Sequence, residues 1–267
     1  MTYIPKAPPP DEINNSELNP WSVFLKGASI LGAIVLVCYF LSGYMVSALT
    51  YVTPYSWEIQ LGKLVHKKMF LSRKSHPRLD AVLKSLKVEL GESNSNFYIV
   101  EDPSENAFAA PGGNVYFTRA FLDAAESDNE VLFVLGHELG HQKYRHPLKS
   151  MYTNLFIQFV LAFLGGGDSL SDFAVRMTGL SFSREQEVEA DLYGLELVQK
   201  ISGHTKGAFN FFERMHKKNK DGFLNKASSA VFSTHPLSKD RIKWLQEACF
   251  ERFEEHSCNL SGDATGI

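Results

Sequence analysis

Hydrophobic and polar positions fall into distinct regimes along the chain. Over residues 1–22, Pro5, Pro8, Pro9 and Pro10 are scattered among Asp, Glu and Asn, a composition that buries no core and predicts a flexible tail. An uncharged run of 22 residues then extends from Ser29 to Thr50. As a helix it would reach about 33 Å, the thickness of a bilayer core, and it lacks the polar face that a buried helix keeps. The run predicts one transmembrane helix, bounded at 23–51 and followed by a folded domain over 52–267. Tyr51, Trp21 and Trp57 lie near its ends, where aromatic groups act as interfacial anchors. A cleaved signal peptide is the competing reading, with Val46-Ser47-Ala48 as a passable cleavage pattern, but the run is long for a signal and its preceding tail is poorly basic. A lipoprotein signal does not fit, because Val37 rather than a small residue precedes Cys38.

Past the run, helical periodicity covers 55–70 and 77–89, the latter through Leu79, Val82, Leu83 and Leu86. The period then changes to two. Phe97-Tyr98-Ile99-Val100 and Asn114-Val115-Tyr116-Phe117-Thr118 are aromatic and β-branched, and Asn106–Ala110 leads into the turn signal Pro111-Gly112-Gly113. These segments predict a small antiparallel sheet. Such a sheet can hold an extended peptide on an edge strand or serve only as core. Ser127-Asp-Asn-Glu130 has the form of a capping box and opens a helix with Val131, Leu132, Leu135 and Leu139 on one face. The apolar segment 155–164 is short for a second span and reads as a buried helix, a membrane-surface element or a cleft wall. A second capping box, Ser183-Arg-Glu-Gln186, opens a helix carrying Val188, Leu192, Leu195 and Val198, closed by Gly203. A last helix starts near Ser238 and runs through Ile242, Leu245, Ala248 and Cys249. The class is therefore α+β, mainly helical.

Charge and composition narrow the partners. The net charge of −3 excludes the broad basic surface that nucleic acid requires, so no nucleic-acid partner is expected. Lys6 and Lys26 precede the apolar run, whereas Lys63, Lys67, Lys68, Arg73 and Lys74 follow it. That count favours a cytoplasmic catalytic side, but a domain of this length crosses regardless of loop charge, and the side stays open. Cys249 and Cys258 would bridge in an oxidising compartment and are otherwise read as ordinary thiols.

The chemistry centres on His137-Glu138-Leu139-Gly140-His141, an H-E-x-x-H string. Histidines one helical turn apart turn their ring nitrogens to one Zn²⁺, and the glutamate between them serves as general base toward water. A catalytic zinc takes three protein ligands. The metzincin pattern fails, because Tyr144 stands at its glycine and Pro147 at its third histidine. A carboxylate from a later helix is the alternative. Glu187 is assigned to zinc, and Asp191, one turn on, to orienting a zinc histidine through its other ring nitrogen.

The pair His137-Glu138-Leu-Gly-His141 and Ser183-Arg-Glu-Gln-Glu187-Val-Glu-Ala190-Asp191 resembles the HtpX and CAAX-prenyl-protease zinc metallopeptidases, metallopeptidase family forty-eight. The resemblance covers roughly residues 58–245, including the Asn106-Ala107 strand, Arg145-His146, and Ser233-Thr-His235-Pro236 with Arg241. It implies a zincin-like metalloprotease domain of gluzincin type, one Zn²⁺ with Glu187 as third ligand, and peptide-bond hydrolysis. It also implies an edge strand at Asn106 and Ala107 for substrate, and His235 and Arg241 near the active site as oxyanion candidates. For His235, inhibitory closure of the metal as a fourth ligand is the other reading. With a single span, the chain is closer to single-anchor quality-control members than to multi-span prenyl proteases. The partners implied are polypeptide substrates, including misfolded membrane or envelope proteins, and the lipid bilayer. The rival function is a zinc-bound, chaperone-like membrane protein with a closed site.

Overall fold

The computed structural model describes residues 19–68, 75–91, 95–163, 182–220, 235, 239–253 and 257–258. Of the tail expected over 1–22, residues 1–18 lie outside them, as do Ser233, Thr234 and Pro236, while Pro20, Trp21 and Ser22 already belong to the first helix. The chain divides into two compact units, Met1–Met45 and Val46–Ile267, so the division falls within the first helix rather than at its end. That helix, α1, runs Pro20–Val52 without interruption. In the first unit Ile30, Ile34, Leu36, Val37, Phe40 and Leu41 are all exposed. Counted over the described residues, which leave out the side chains at 35, 38 and 39, no helix is long and apolar enough to cross a membrane.

The second unit is built around three strands, β1 (Asn96–Val100), β2 (Ala107–Ala110) and β3 (Asn114–Thr118), in the order β1-β3-β2. The sheet is mixed, which corrects the antiparallel expectation. β2 and β3 form an antiparallel hairpin with Ala109 opposite Val115, whereas β1 runs parallel to β3 with Phe97 opposite Val115. The hairpin occupies one edge of β3, so β1 reaches only the other edge, and the chain passes across the sheet between β1 and β2. Gly112 and Gly113 make the turn with φ of 79° and 81°, and a Cβ on Gly112 would lie 2.8 Å from the Glu58 carbonyl oxygen. Alternation along the strands separates two cores. Ile99, Ala107, Val115 and Phe117 join the larger one, and Ala110 and Tyr116 the smaller, with Tyr98 and Phe108 against it.

Helices α2 (Tyr55–Lys68), α3 (Pro77–Leu90) and α4 (Arg119–Ala124) frame the sheet, and α5 (Asp128–Lys143) crosses the middle of the domain. Ser127 caps α5 by accepting from the Glu130 amide at 3.1 Å, while the Glu130 carboxylate turns back to the Glu126 amide at 2.8 Å. Every residue of α5 from Asn129 to His141 is buried, so the expected apolar stripe is one face of a helix enclosed all round. Its closest neighbour is α7 (Arg184–Ser202), opened by a complete Ser183/Gln186 capping box and ended by Gly203 in the left-handed region. A Cβ on Gly136 would lie 2.8 Å from the Cα of Gly194, and one on Gly140 would lie 2.9 Å from the Cα of Ala190. Small residues thus bring the two backbones into contact and the ligand-bearing faces together.

Between α5 and α6 (His146–Phe163), Arg145 adopts φ of 56°. Its guanidinium donates to Glu58 at 2.8 Å and to the carbonyls of Thr50 and Thr53 at 2.6 and 2.9 Å, fastening the last turn of α1 to the end of α5. The second half of α6 exposes Ile157 and Phe159 to solvent, so it is not the fully buried helix that was one of its readings. Helices α8 (Asn210–Lys220) and α9 (Lys239–Arg252) complete the unit. Cys249 of α9 is joined to Cys258 in a disulfide, which corrects their reading as thiols. The Ser257 carbonyl accepts from the Thr205 amide and hydroxyl at 2.9 and 3.0 Å, holding the residue next to Cys258.

Candidate metal centre

Helix α5 presents His137 and His141 on the face toward α7, and α7 presents Glu187 from its first turn. With His235 they form a buried group of four side chains whose ligand atoms all lie within 4.8 Å of one another and that could hold a metal ion. His137 Nε2 is 3.0 Å from His141 Nε2 and 3.2 Å from His235 Nδ1. Glu187 Oε1 is 2.9 Å from His235 Nδ1 and 3.4 Å from His141 Nε2. Four-coordinate zinc with ligand bonds near 2.0–2.1 Å needs ligand atoms roughly 3.3 Å apart, so the donor set and its spacing fit that ion.

Each helix histidine is held through its other ring nitrogen. His137 Nδ1 meets Asp191 Oδ1 at 2.8 Å. Arg241 in turn grips Asp191 with two bonds of 2.7 Å and lies 2.8 Å from Glu187 Oε2. Burial pushes the Asp191 carboxyl upward, but the Arg241 guanidinium and His137 bring it below its ordinary range. With its guanidinium on both carboxylates, Arg241 ties Asp191 to Glu187. His141 Nδ1 meets His146 Nδ1 at 2.9 Å, and His146 Nε2 meets Glu189 Oε2 at 3.0 Å. Donation along this chain from His141 to His146 to Glu189 leaves His141 Nε2 with its lone pair toward the cluster. Burial lowers His146 to about 4 against the opposing pull of Glu189, and lowers His141 well below its ordinary value, so both rings are neutral near pH 7. Phe182 stacks on His141 with ring centres 3.9 Å apart.

Glu138 is also buried, on the same helix. Burial raises its carboxyl above the usual range, opposed by His235 and His137, and the Ala109 amide donates to it. Its Oε1 is 3.7 Å from His235 Nε2, while its Oε2 and His235 Nε2 have no hydrogen-bond partner among the described residues. The Glu187 carboxyl, although pushed up by burial, is held far below its ordinary value by His235 and His141 and carries the negative charge of the cluster. Two imidazoles one helical turn apart, an anionic carboxylate and a carboxyl of raised pKa within reach have the chemistry of a hydrolytic metal site.

Asn106 and Ala107 begin β2. The Asn106 main chain is consumed by Thr118: its amide donates to the Thr118 hydroxyl at 2.8 Å and its carbonyl accepts from the Thr118 amide at 2.9 Å. By the alternation of an antiparallel ladder, Ala107 and Ala109 turn their main-chain groups away from β3, where the Ala109 amide meets Glu138. Asn106 thus fixes the start of β2, and Ala107 is the first residue whose main chain faces away from β3. Ala109, His146, Glu189 and Phe182 are site residues that spacing alone does not single out. His146 directly follows Arg145 in the quoted pattern, but its pairing with Glu189 joins helices 43 positions apart.

Comparison with known proteins agrees with this geometry. The chain is 33% identical over 182 residues to a mitochondrial metalloendopeptidase OMA1 of Schizosaccharomyces pombe, covering 64% of this chain and 53% of that protein. It is 29% identical over 199 residues to metalloprotease YcaL of Escherichia coli, covering 71% and 75%. With metalloprotease LoiP of the same bacterium it is 26% identical over 179 residues, covering 64% and 69%. The chain thus spans about half the length of the fission-yeast relative. The family model described as Peptidase family M48 matches residues 73–249, a span that takes in both helix histidines, Glu187, His235 and Arg241, and the chain belongs to that family.

Proposed function

We propose that this chain is a membrane-anchored zinc metalloendopeptidase acting in protein quality control, with His137, His141 and Glu187 as metal ligands and Glu138 as general base. The observation that carries the reading is the convergence of His137, His141, Glu187 and His235 ligand atoms beside the buried Glu138 carboxylate. Zinc at these ligands would supply polarisation of the scissile carbonyl and a lowered pKa for the attacking water. Glu138 takes the proton of that water and returns it to the leaving amine. Asp191 and His146 keep the two helix histidines turned inward. The Ala107 main chain and the Ala109 carbonyl, turned away from β3, hold an extended polypeptide by main-chain hydrogen bonds, with misfolded membrane or envelope proteins as the substrate class. The test is zinc content together with casein hydrolysis by the purified full chain. A zinc-free protein, or zinc-replete wild type and His235→Ala that both fail to hydrolyse casein, would overturn it.

His235 closes the fourth position, as supported by its Nδ1 lying 3.2 Å from His137 Nε2 and 2.9 Å from Glu187 Oε1. Removing it frees that position, so His235→Ala is expected to retain zinc and to raise casein turnover. A fall in kcat of about 10²-fold with unchanged KM would instead make it an oxyanion donor. The same closure favours a second reading, a chaperone-like zinc protein that binds without cutting. Zinc-replete wild type and His235→Ala that both fail to hydrolyse casein while still binding it would select that reading.

The anchor is α1. Its uncharged run over 29–50 and its exposed Ile30, Ile34, Phe40 and Leu41 support a helix in lipid. The Cys249–Cys258 disulfide supports an oxidising compartment for the catalytic domain, against the positive-inside count. The full chain is expected to stay in membranes through carbonate washing, and a chain beginning near Ser56 to be extractable. A mature N-terminus at Leu49 would refute the anchor.

A further inference from the structure

Apart from Val88 and Phe250, every exposed large apolar side chain of the second unit, among the described residues, lies on the last turns of α1, on α2 or on α6. Single apolar side chains on a surface are ordinary, whereas a gathered patch marks a contact. The three segments are tied together at one place. The Thr53 hydroxyl donates to the Leu49 carbonyl and meets the Tyr152 hydroxyl of α6, both at 2.6 Å. Arg145, immediately before α6, donates to Glu58 of α2 and to the Thr50 and Thr53 carbonyls. Leu61 and Val65 of α2 pack in one core with Leu148, Met151 and Leu155 of α6. With the inner faces so engaged, the outer ones show Trp57 and Leu64 on α2 and Ile157 and Phe159 on α6, Trp57 being 68% and Phe159 71% exposed. Charge on these elements is of one sign. Helix α2 exposes Lys63 and Lys67, its single carboxylate, Glu58, is buried against Arg145, and residues 150–163 of α6 carry no charge.

We propose that this face is the surface by which the catalytic domain rests on a bilayer carrying anionic head groups. This rests on the reading of α1 as the anchor. Helix α1 ends at Val52 and α2 begins at Tyr55. Three residue steps reach at most about 11 Å, so α2 starts within the head-group layer or at its edge. Tyr55 and Trp57, apolar rings with one polar atom each, suit that level, and Lys63 and Lys67 reach lipid phosphates. Ile157 and Phe159 enter the boundary of the acyl chains, as the apolar side of an interfacial helix does. Helix α6 starts at His146, whose ring meets His141 at 2.9 Å. From His146 to Phe159 the helix rises by about 20 Å, so docking holds the metal centre within that distance of the lipid-facing end. The short link from α1 and the one-signed charge favour a lipid surface over a protein as the occupant.

The test uses the full chain in nanodiscs of phosphatidylcholine and phosphatidylglycerol, with Phe159→Trp or Val88→Trp as reporter in a Trp21→Phe and Trp57→Phe background. Lipid brominated near the top of its acyl chains is expected to quench Phe159→Trp and to leave Val88→Trp unchanged. Acrylamide in the buffer is expected to quench Val88→Trp several-fold more strongly than Phe159→Trp. Leu64→Glu with Ile157→Glu, both at exposed positions, is expected to restore acrylamide access to Phe159→Trp with zinc content and melting temperature unchanged. Equal acrylamide quenching at the two reporters, in protein that has entered the disc, would overturn the docking and leave the anchor intact. Shielding of Phe159→Trp from acrylamide without quenching by brominated lipid would also overturn it, with a second copy of the chain or another protein as the cover. A chain that does not enter the disc would instead count against the anchor itself.

Discussion

Glu138→Gln is expected to keep zinc, fold and melting temperature and to lose 10²–10⁴-fold in kcat, the range over which a positioned general base acts. The substitution keeps the side chain's shape and its acceptor for the Ala109 amide, and removes only the proton-accepting charge. Because the side chain is 2% exposed, bulk solvent does not substitute for it. Casein hydrolysis at saturating substrate with zinc measured in the same sample is the decisive measurement. Undiminished turnover by the zinc-replete variant would remove Glu138 from the chemistry.

The second large effect concerns metal affinity. Glu187→Ala removes the anionic ligand and leaves Arg241, which lay 2.8 Å from it, with Asp191 as its remaining carboxylate in the cluster. The expected loss in zinc affinity lies well beyond the 10–100-fold that a partner of a ligating histidine costs. Glu189→Ala, which releases His146 and so only loosens His141, is expected to fall within that smaller range. Competition with a chelator of known affinity separates the two. Equal zinc retention by both variants would show that the ligand carboxylate is not Glu187.

Much of this site is legible because its signals are local. The histidine pair and Glu138 sit at fixed spacing behind a Ser127 cap, and Glu187 and Asp191 share one face of a helix opened by the Ser183 box. Interactions between distant segments are another matter. The parallel pairing of β1 with β3 depends on which edge of β3 the hairpin leaves open, which no alternation of side chains encodes. Arg241 reads as an oxyanion candidate or a surface ion pair, and its buried pairing with Asp191 and Glu187 comes from α9 meeting the first turns of α7, 50 positions away in sequence. Next to the disulfide, the contact of Thr205 with Ser257, 52 positions apart, is not encoded in the spacing of the two cysteines.

The contact between α5 and α7 makes the metal a gauge of helix separation. Gly140 faces the Ala190 backbone so closely that one added methyl would meet its Cα at 2.9 Å, and backbone does not swing aside as a side chain would. Gly140→Ala therefore moves whole helices apart by a few tenths of an ångström, carrying Glu187 away from His137 and His141. Zinc dissociation in such a variant reads interhelical distance on a scale finer than overall unfolding detects. Glycine at 136, 140 and 194 thereby sets the dimensions of a cage to which none of the three contributes an atom.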